Sequence, residues 1–218
     1  MTDTQQLNTD AVAKWLEANM DGFQGPITAE KFNVGQSNPT FRLDTPTGPY
    51  VLRRKPPGQL LKSAHAVDRE FRVQSALADT DVPVAKMHVL CEDPDVIGSD
   101  FYVMEAVAGR NIDDPRIPEV SNKERAAIYA EMCRVLAAIH EVDIEAVGLS
   151  DYGPPGNYFE RQIGRWTKQY RASETECIAD MDALIDWLPA NIPDDDQRRL
   201  VHGDYRIDNM LFETDGPR

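Results

Sequence analysis

The sequence predicts an α+β fold in two parts: an antiparallel sheet first, then a mainly helical half. Three observations carry this. Residues 31–54 alternate apolar segments with two polar turns, and further short strands follow at 84–90 and 101–105. Beyond residue 106 the pattern changes to helical spacing, with apolar stripes in three separate segments. Near the end, apolar residues bracket a polar turn, Val201 to Phe212, which holds an acid and an amide five positions apart.

A chain of 218 residues is one large domain or two small lobes. It is 41% hydrophobic, enough for a real core, and 28% charged. Its net charge of −14 disfavours nucleic acid and anionic membrane surfaces as partners. Cys91, Cys133 and Cys177 are scattered with no C-x-x-C, which points to a reducing compartment. The polar N-terminus does not read as a signal peptide, and no apolar run is long enough to span a bilayer. The expected location is cytoplasmic.

Residues 10–20 read as an amphipathic helix with Val12, Trp15, Leu16 and Met20 on one face and Thr9 or Asp10 as cap. Phe32 and Val34 then enter a strand, Gly35-Gln36-Ser37-Asn38-Pro39 turns, and Thr40 to Leu43 return. Thr45-Pro46-Thr47-Gly48-Pro49 turns again into Tyr50-Val51-Leu52-Arg53. The first turn is small and polar, so its backbone N–H groups suit a phosphate. A plain hairpin turn accounts for the same residues. Alternation puts Val51 and Arg53 on one face, while Arg54 and Lys55 read as a solvated strand end. Residues 62–78 read as a helix with Ala66, Val67, Phe71, Ala76 and Leu77 apolar, and Glu70 beside Phe71 towards the sheet. Strands at Val84–Leu90 and Phe101–Glu105 flank a turn at Cys91–Asp95, and the apolar run stops at Ala106–Arg110.

Ser121-Asn122-Lys123-Glu124 is a capping box, and the helix behind it runs to about His140. Ile128, Met132, Val135, Leu136 and Ile139 form its core stripe, and His140 reads as structural. After a loop at 151–156, a helix carries Phe159, Ile163, Trp166 and Tyr170 on the face meant for the core, with Arg161, Arg165 and Lys168 opposite. A further helix has Ile178, Met181, Leu184, Ile185 and Leu188 inward. From Ala172 to Gln197 there are eight acids and no Lys or Arg.

In the last segment Leu200 and Val201 enter as a short strand, and Met210, Leu211 and Phe212 leave as another. Asp204 and Asn209 then project from one loop into one site. A carboxylate there orients a hydroxyl and accepts its proton, and an amide oxygen there helps to hold Mg²⁺. The pattern His202-x-Asp204-x-x-x-x-Asn209 resembles the catalytic loop of kinases. Its His-Gly-Asp opening resembles small-molecule kinases of the aminoglycoside phosphotransferase family. A polar surface turn and a His-x-Asp metal pair are the other readings of these residues.

The resemblance implies a protein-kinase-like fold, with a nucleotide-binding lobe over 1–105 and a second lobe over 106–218. The second lobe would hold a helical substrate lid at about 151–190 and the catalytic loop at 202–209; two ordinary solvated helix faces are the alternative to a lid. It implies ATP and Mg²⁺ as cofactors. Asp204 would be the base and Asn209 a metal ligand. Arg206 would meet the γ-phosphate or stand as a solvated loop arginine. Arg53 would replace the usual lysine at the phosphates, paired with Glu70, and Val51 would pack on adenine. Gly35, Gln36, Ser37 and Asn38 would approach the phosphates, and the main chain of Glu105 and Val107 would meet the adenine edge.

In that family a strand after the Asp215-Gly216 hairpin signal carries a second metal aspartate, so residues 1–218 read as the first two-thirds of a kinase, inactive alone. The string Arg161-Gln162-x-x-Arg165-Trp166 with Tyr170, then Leu184-x-x-Trp187-Leu188-Pro189, resembles kinase-like domains beside or fused to acyl-CoA dehydrogenases. This implies a hydroxyacyl-CoA or hydroxy acid acceptor and association with an acyl-CoA dehydrogenase. The acids at 172–197 pull instead towards an aminoglycoside or choline-like cation. A non-catalytic nucleotide-binding pseudokinase is the alternative to an enzyme.

Overall fold

The computed structural model describes residues 7–32, 38–56, 66–154, 156–194 and 197–214. The readings placed on Val34, on Gly35 to Ser37, on the start of the helix at 62–65 and on Asp215-Gly216 lie outside them. Two compact units are present, one of Met1–Val142 with Val201–Arg218 and the other of Asp143–Leu200.

The first unit is built on a five-stranded antiparallel sheet in the order β1-β2-β3-β5-β4. Its strands are β1 (Thr28–Lys31), β2 (Thr40–Thr45), β3 (Gly48–Arg54), β4 (Met87–Cys91) and β5 (Phe101–Glu105). β5 has the expected bounds. β1 lies earlier than expected: Phe32 falls just past its end and is 41% exposed. The reason is the partner. Phe41 and Leu43 of β2 are buried, and their burial fixes the register against Lys31 and Ala29. β1 is an edge strand carrying Glu30 and Lys31, so it has no apolar alternation to read. The β2–β3 turn is tight, with Thr45 opposite Gly48, whose φ of 123° suits glycine.

One sheet face is packed by α1 (Thr9–Asn19), with Val12 and Leu16 fully buried against Leu43, Leu52, Phe101 and Val103. Its cap is Asn8, one residue before the expected Thr9 or Asp10: the Asn8 Oδ1 accepts the Ala11 N–H at 3.1 Å. The opposite face carries the cross-strand pairs Arg53–Tyr102 and Val51–Met104. α2 (Val67–Leu77) contributes Glu70 to that face through its contact with Tyr102. α3 (Pro94–Ile97) replaces the expected turn. Asp93 caps its start, Pro94 opens it, and Gly98 closes it at φ 80°.

Arg54 is not solvated as expected. It is 7% exposed, and burial presses its pKa below the usual arginine range. Lys55 pairs with Asp100 and Asp68. Even-numbered positions of β3 face the α1 side, so Arg54 is carried inward by the alternation that turns Arg53 the other way.

α4 (Asn122–Glu141) starts as predicted, with Ser121 Oγ accepting the Glu124 N–H at 3.1 Å. The Glu124 carboxylate does not close the box. It pairs instead with Arg110 at 2.8 Å, a charged partner that outcompetes a backbone amide. Ile128 of α4 belongs to a second apolar cluster with Ile112, Ile117, Ile207 and Phe212. Ile117 is fully buried with φ 44°, a strained backbone for a β-branched residue.

The segments expected as strands around the polar loop are not strands. Residues 200–202 are irregular, and only Phe212 pairs, through one bridge to Arg110. Apolar alternation makes a strand only where a ladder partner is present, and Val201 and Leu211 stay 63% and 55% exposed.

In the second unit α5 (Tyr158–Ser173) and α6 (Ala179–Ala190) contain no buried residue. The apolar stripe of α5 faces α6, not a core as expected: Ile163, Trp166 and Tyr170 line an open apolar groove with Met181, Leu184 and Leu188. Trp166 remains 59% exposed. Ile178 caps α6 instead of joining its inward face. The cysteines are free, with Cys91 buried and Cys133 and Cys177 exposed. Among the described residues no helix is long and apolar enough to cross a membrane.

Phe101 is fully buried and meets Trp15 edge-on at 5.3 Å. Phe101→Ala is therefore expected to cost about 3–5 kcal/mol, read as a lower denaturant midpoint with an unchanged slope.

Candidate active site

The first group of functional side chains gathers on the sheet face opposite α1. Glu70 reaches it from α2, Arg53 from β3, Tyr102 from β5 and Asn38 from the segment entering β2. The Arg53 Nε lies 3.0 Å from Glu70 Oε2. Its N–H makes no aligned hydrogen bond, so the contact is an ion pair held by charge. Both side chains are about one-third exposed, at 34% and 33%. The Tyr102 hydroxyl donates to Glu70 Oε2 at 3.1 Å, and Asn38 Nδ2 donates to Glu70 Oε1 at 2.9 Å. Burial and then the Glu70 carboxylate push the Tyr102 phenol well above its ordinary range, so it serves as a neutral donor.

The Arg53–Glu70 contact is thus present, as the resemblance implied. Asn38 is 4% exposed, and its side chain is committed to Glu70. Tyr102 was not singled out from the sequence, although its register opposite Arg53 follows once β3 and β5 pair. Val51 sits on the same face and is nearly buried. The Glu105 N–H donates to Lys86 O at 2.9 Å, which removes it from any ligand contact. Val107 is 45% exposed.

The second group is the polar loop. Gly203 turns the chain at φ 81°, a left-handed conformation that favours glycine. The Asp204 N–H donates to His202 Nδ1 at 3.3 Å, so His202 shapes the turn. Residues Ile207–Asn209 form one 3-10 turn. Asn209 Nδ2 donates to Asp204 O and Asp204 Oδ2, both at 2.9 Å. Both partners are acceptors, so the amide orientation is determined and its carbonyl oxygen points elsewhere. Arg206 Nη2 meets Asp208 Oδ2 at 2.6 Å, and its Nε lies 3.5 Å from Asp204 Oδ1.

Apolar anchors hold this exposed turn. Ile207 is 5% and Phe212 4% exposed, both in the cluster with Ile128. The Tyr205 hydroxyl donates to Met132 O of α4 at 2.5 Å. Asn111 Nδ2 donates to Asp208 O at 2.8 Å and Met210 O at 3.1 Å, clamping the backbone on both sides of Asn209. Asn111 is a supporting residue the sequence did not flag. Gly109 is needed beside it, because a Cβ there would meet Phe212 O at 3.0 Å.

The donor set suits a hard cation shared with a ligand. Among the described residues no cluster of three or more His, Cys, Asp or Glu forms a metal cage. Mg²⁺ is commonly held by one or two protein oxygens plus substrate phosphates. The Asn209 carbonyl is the oxygen that its amide contacts with Asp204 leave outward.

The phosphotransferase enzyme family profile, APH, matches residues 28–218. The chain is 47% identical over 227 residues to probable acyl-CoA dehydrogenase IBR3 of Arabidopsis thaliana, covering 96% of the chain and 27% of that protein. It is also 47% identical over 203 residues to acyl-CoA dehydrogenase family member 11 of Mus musculus, covering 91% and 26%. The chain therefore spans about a quarter of the length of these curated relatives. A solved Ralstonia eutropha protein, provisionally assigned as an aminoglycoside phosphotransferase, is 54% identical with a TM-score of 0.85, over 98% of this chain and 63% of that one. The streptomycin–ATP complex of APH(2″)-IIa shares the fold alone, at 18% identity and a TM-score of 0.64, over 97% of this chain and 68% of that one. The family profile takes in the sheet, the Arg53–Glu70 pair and the acid–amide loop together, and on that ground the chain belongs to the phosphotransferase enzyme family.

Proposed function

We propose that the protein carrying this chain is an ATP- and Mg²⁺-dependent kinase that moves a γ-phosphate onto a hydroxyl of a small molecule. The observation that carries the reading is the Asp204–Asn209 pair, locked by two hydrogen bonds with its remaining oxygens outward. The nucleotide lobe is residues 1–105 and the second lobe 106–218, in a cytoplasmic protein.

Asp204 orients the acceptor hydroxyl and takes its proton as the hydroxyl oxygen bonds to the γ-phosphorus and the bond to the β-phosphate oxygen breaks. Arg206 is engaged by Asp208, so its share in a γ-phosphate contact falls to the nitrogens that pair leaves over. Asn209 would hold Mg²⁺ through its carbonyl oxygen, and the bound ion would supply charge neutralisation at the phosphates. Arg53 meets Glu70 through Nε, and its terminal nitrogens are the ones suited to the α/β-phosphates. Val51 flanks the adenine. The Glu105 carbonyl and the Val107 main chain meet its edge, and residues 35–38 approach the phosphates.

The acceptor is a hydroxyacyl-CoA or hydroxy acid, and the protein acts together with an acyl-CoA dehydrogenase. The relatives named as acyl-CoA dehydrogenases support this. So does the charge of the second unit. Arg171 at the end of α5 pairs with Glu174 and Asp182, so two of the acids that favoured a cationic acceptor are already neutralised. That pairing lowers the Asp182 pKa, mainly through the Arg171 contact. Arg165 and Lys168 stay exposed on α5.

Asp204→Ala in the full protein is expected to lower turnover at least about a hundredfold with ATP affinity little changed. Turnover within a few-fold of the parent would remove Asp204 as the base. In a competition of hydroxyacyl-CoA thioesters against aminoglycosides and choline, phosphate is expected on the thioesters. Transfer to the cations alone would overturn the acceptor and leave the kinase standing.

A further inference from the structure

We propose that Asn38 is a positioning residue for nucleotide binding: its amide couples the segment entering β2 to Glu70, so that segment and the Arg53 guanidinium are aimed together. The inference rests on the kinase reading above and adds a residue through which the site is assembled.

Three observations carry it. The two oxygens of Glu70 are divided, Oε1 taking Asn38 and Oε2 taking Tyr102 and facing Arg53. Asn38 is 4% exposed, so its amide has exchanged water for this carboxylate, and a buried hydrogen bond to a charged group is costly to lose. The backbone around it is fastened too. Thr40 Oγ1 donates to Asn38 O at 3.1 Å, and the Arg54 N–H donates to Pro39 O at 3.0 Å. Asn38 and Pro39 are therefore fastened to both β3 and α2.

The chemistry requires an amide. A carboxamide donates to Glu70 without competing for Arg53. Asp at 38 would set a second carboxylate at the same short distance, and the pair would hold one proton between them or separate. Among the described residues, the groups facing Glu70 are Arg53 from β3, Tyr102 from β5 and Asn38 itself, with Gln74 Nε2 on the Glu70 backbone oxygen at 3.4 Å. Tyr102, its phenol pushed above its ordinary range, stays neutral. In Asn38→Asp a proton shared between the two carboxylates restores the contact, so it is present at low pH and lost as pH rises.

The experiment measures ATP affinity of the full protein from about pH 5.5 to about pH 8, each variant as a ratio to the parent at the same pH, with thermal melting as the folding control. Asn38→Ala is expected to weaken ATP about tenfold at every pH. Asn38→Asp is expected to be weakened at least as much at high pH and to recover towards the parent at low pH. In an Arg53→Ala background, Asn38→Ala is expected to add little, because Asn38 acts through Arg53. A folded Asn38→Asp with a pH-independent ratio overturns the proposal. Should Asn38→Asp not fold, the double-mutant cycle decides: full additivity, or a lower melting temperature for Asn38→Ala with ATP affinity unchanged, overturns it. Failure of the parent to bind ATP at all overturns the kinase reading and this inference with it. Binding by the parent without an Asn38 effect overturns this inference alone.

Discussion

The Glu70 carboxylate is the constraint around which the sheet's functional face is arranged. A partly exposed carboxylate on a short helix has little reason of its own to point inward. It does so because two donors, Asn38 and Tyr102, and one cation, Arg53, converge on its two oxygens from three separate elements. Each group is placed by something else: Tyr102 and Arg53 by the β3–β5 register, Asn38 by the entry into β2. The same register sends Arg54 and Leu52 to the opposite face. The alternation that buries the α1 core therefore also presents the guanidinium to its partner.

The acid–amide loop is held on a different principle. Its polar residues are exposed, and little of its own burial would keep them still. Rigidity is borrowed from Ile207 and Phe212, which are sunk beside Ile128, and from side chains that satisfy backbone carbonyls at Met132, Asp208 and Met210. An exposed carboxylate on a pinned backbone is accessible and oriented at once, which positioning catalysis demands. The hydrogen bonds from Asn209 to Asp204 serve both ends: they aim the acid and turn the amide oxygen outward.

Much of this was legible where a residue's environment is local. Ser121 announces a helix start, Phe101 to Glu105 alternate as a strand, and Asp204 and Asn209 are close because a short loop leaves them no choice. Arg53 and Glu70 were legible as a pair through their order along a resembling fold. Tyr102 and Asn111 were not, because their roles exist only once distant segments meet and nothing in their own neighbourhoods marks them; Asn38 was read in its small polar turn, but its bond to Glu70 was not. β1 escaped because an edge strand is polar by necessity. α3 was marked by Asp93-Pro94 and Gly98 and was passed over for its brevity. The strands drawn around the loop, and the buried face drawn for α5, came from apolar pattern without a partner to receive it. Trp166 shows the difference, being apolar, periodic and exposed.

Asn111 lies 97 positions before the Asp208 carbonyl it holds, and Ile112, Ile117 and Ile128 likewise wait for Ile207 and Phe212. On the ribosome the hairpin strands find each other early, through near neighbours. The second apolar cluster cannot close until the loop itself has emerged. Until then Ile112, Ile117 and Ile128 lack the apolar neighbours that bury them in the fold. The acid–amide loop thus doubles as the plug that ends this vulnerable period. Substitutions at Ile207 or Phe212 are predicted to raise the demand for chaperones during synthesis before they touch chemistry.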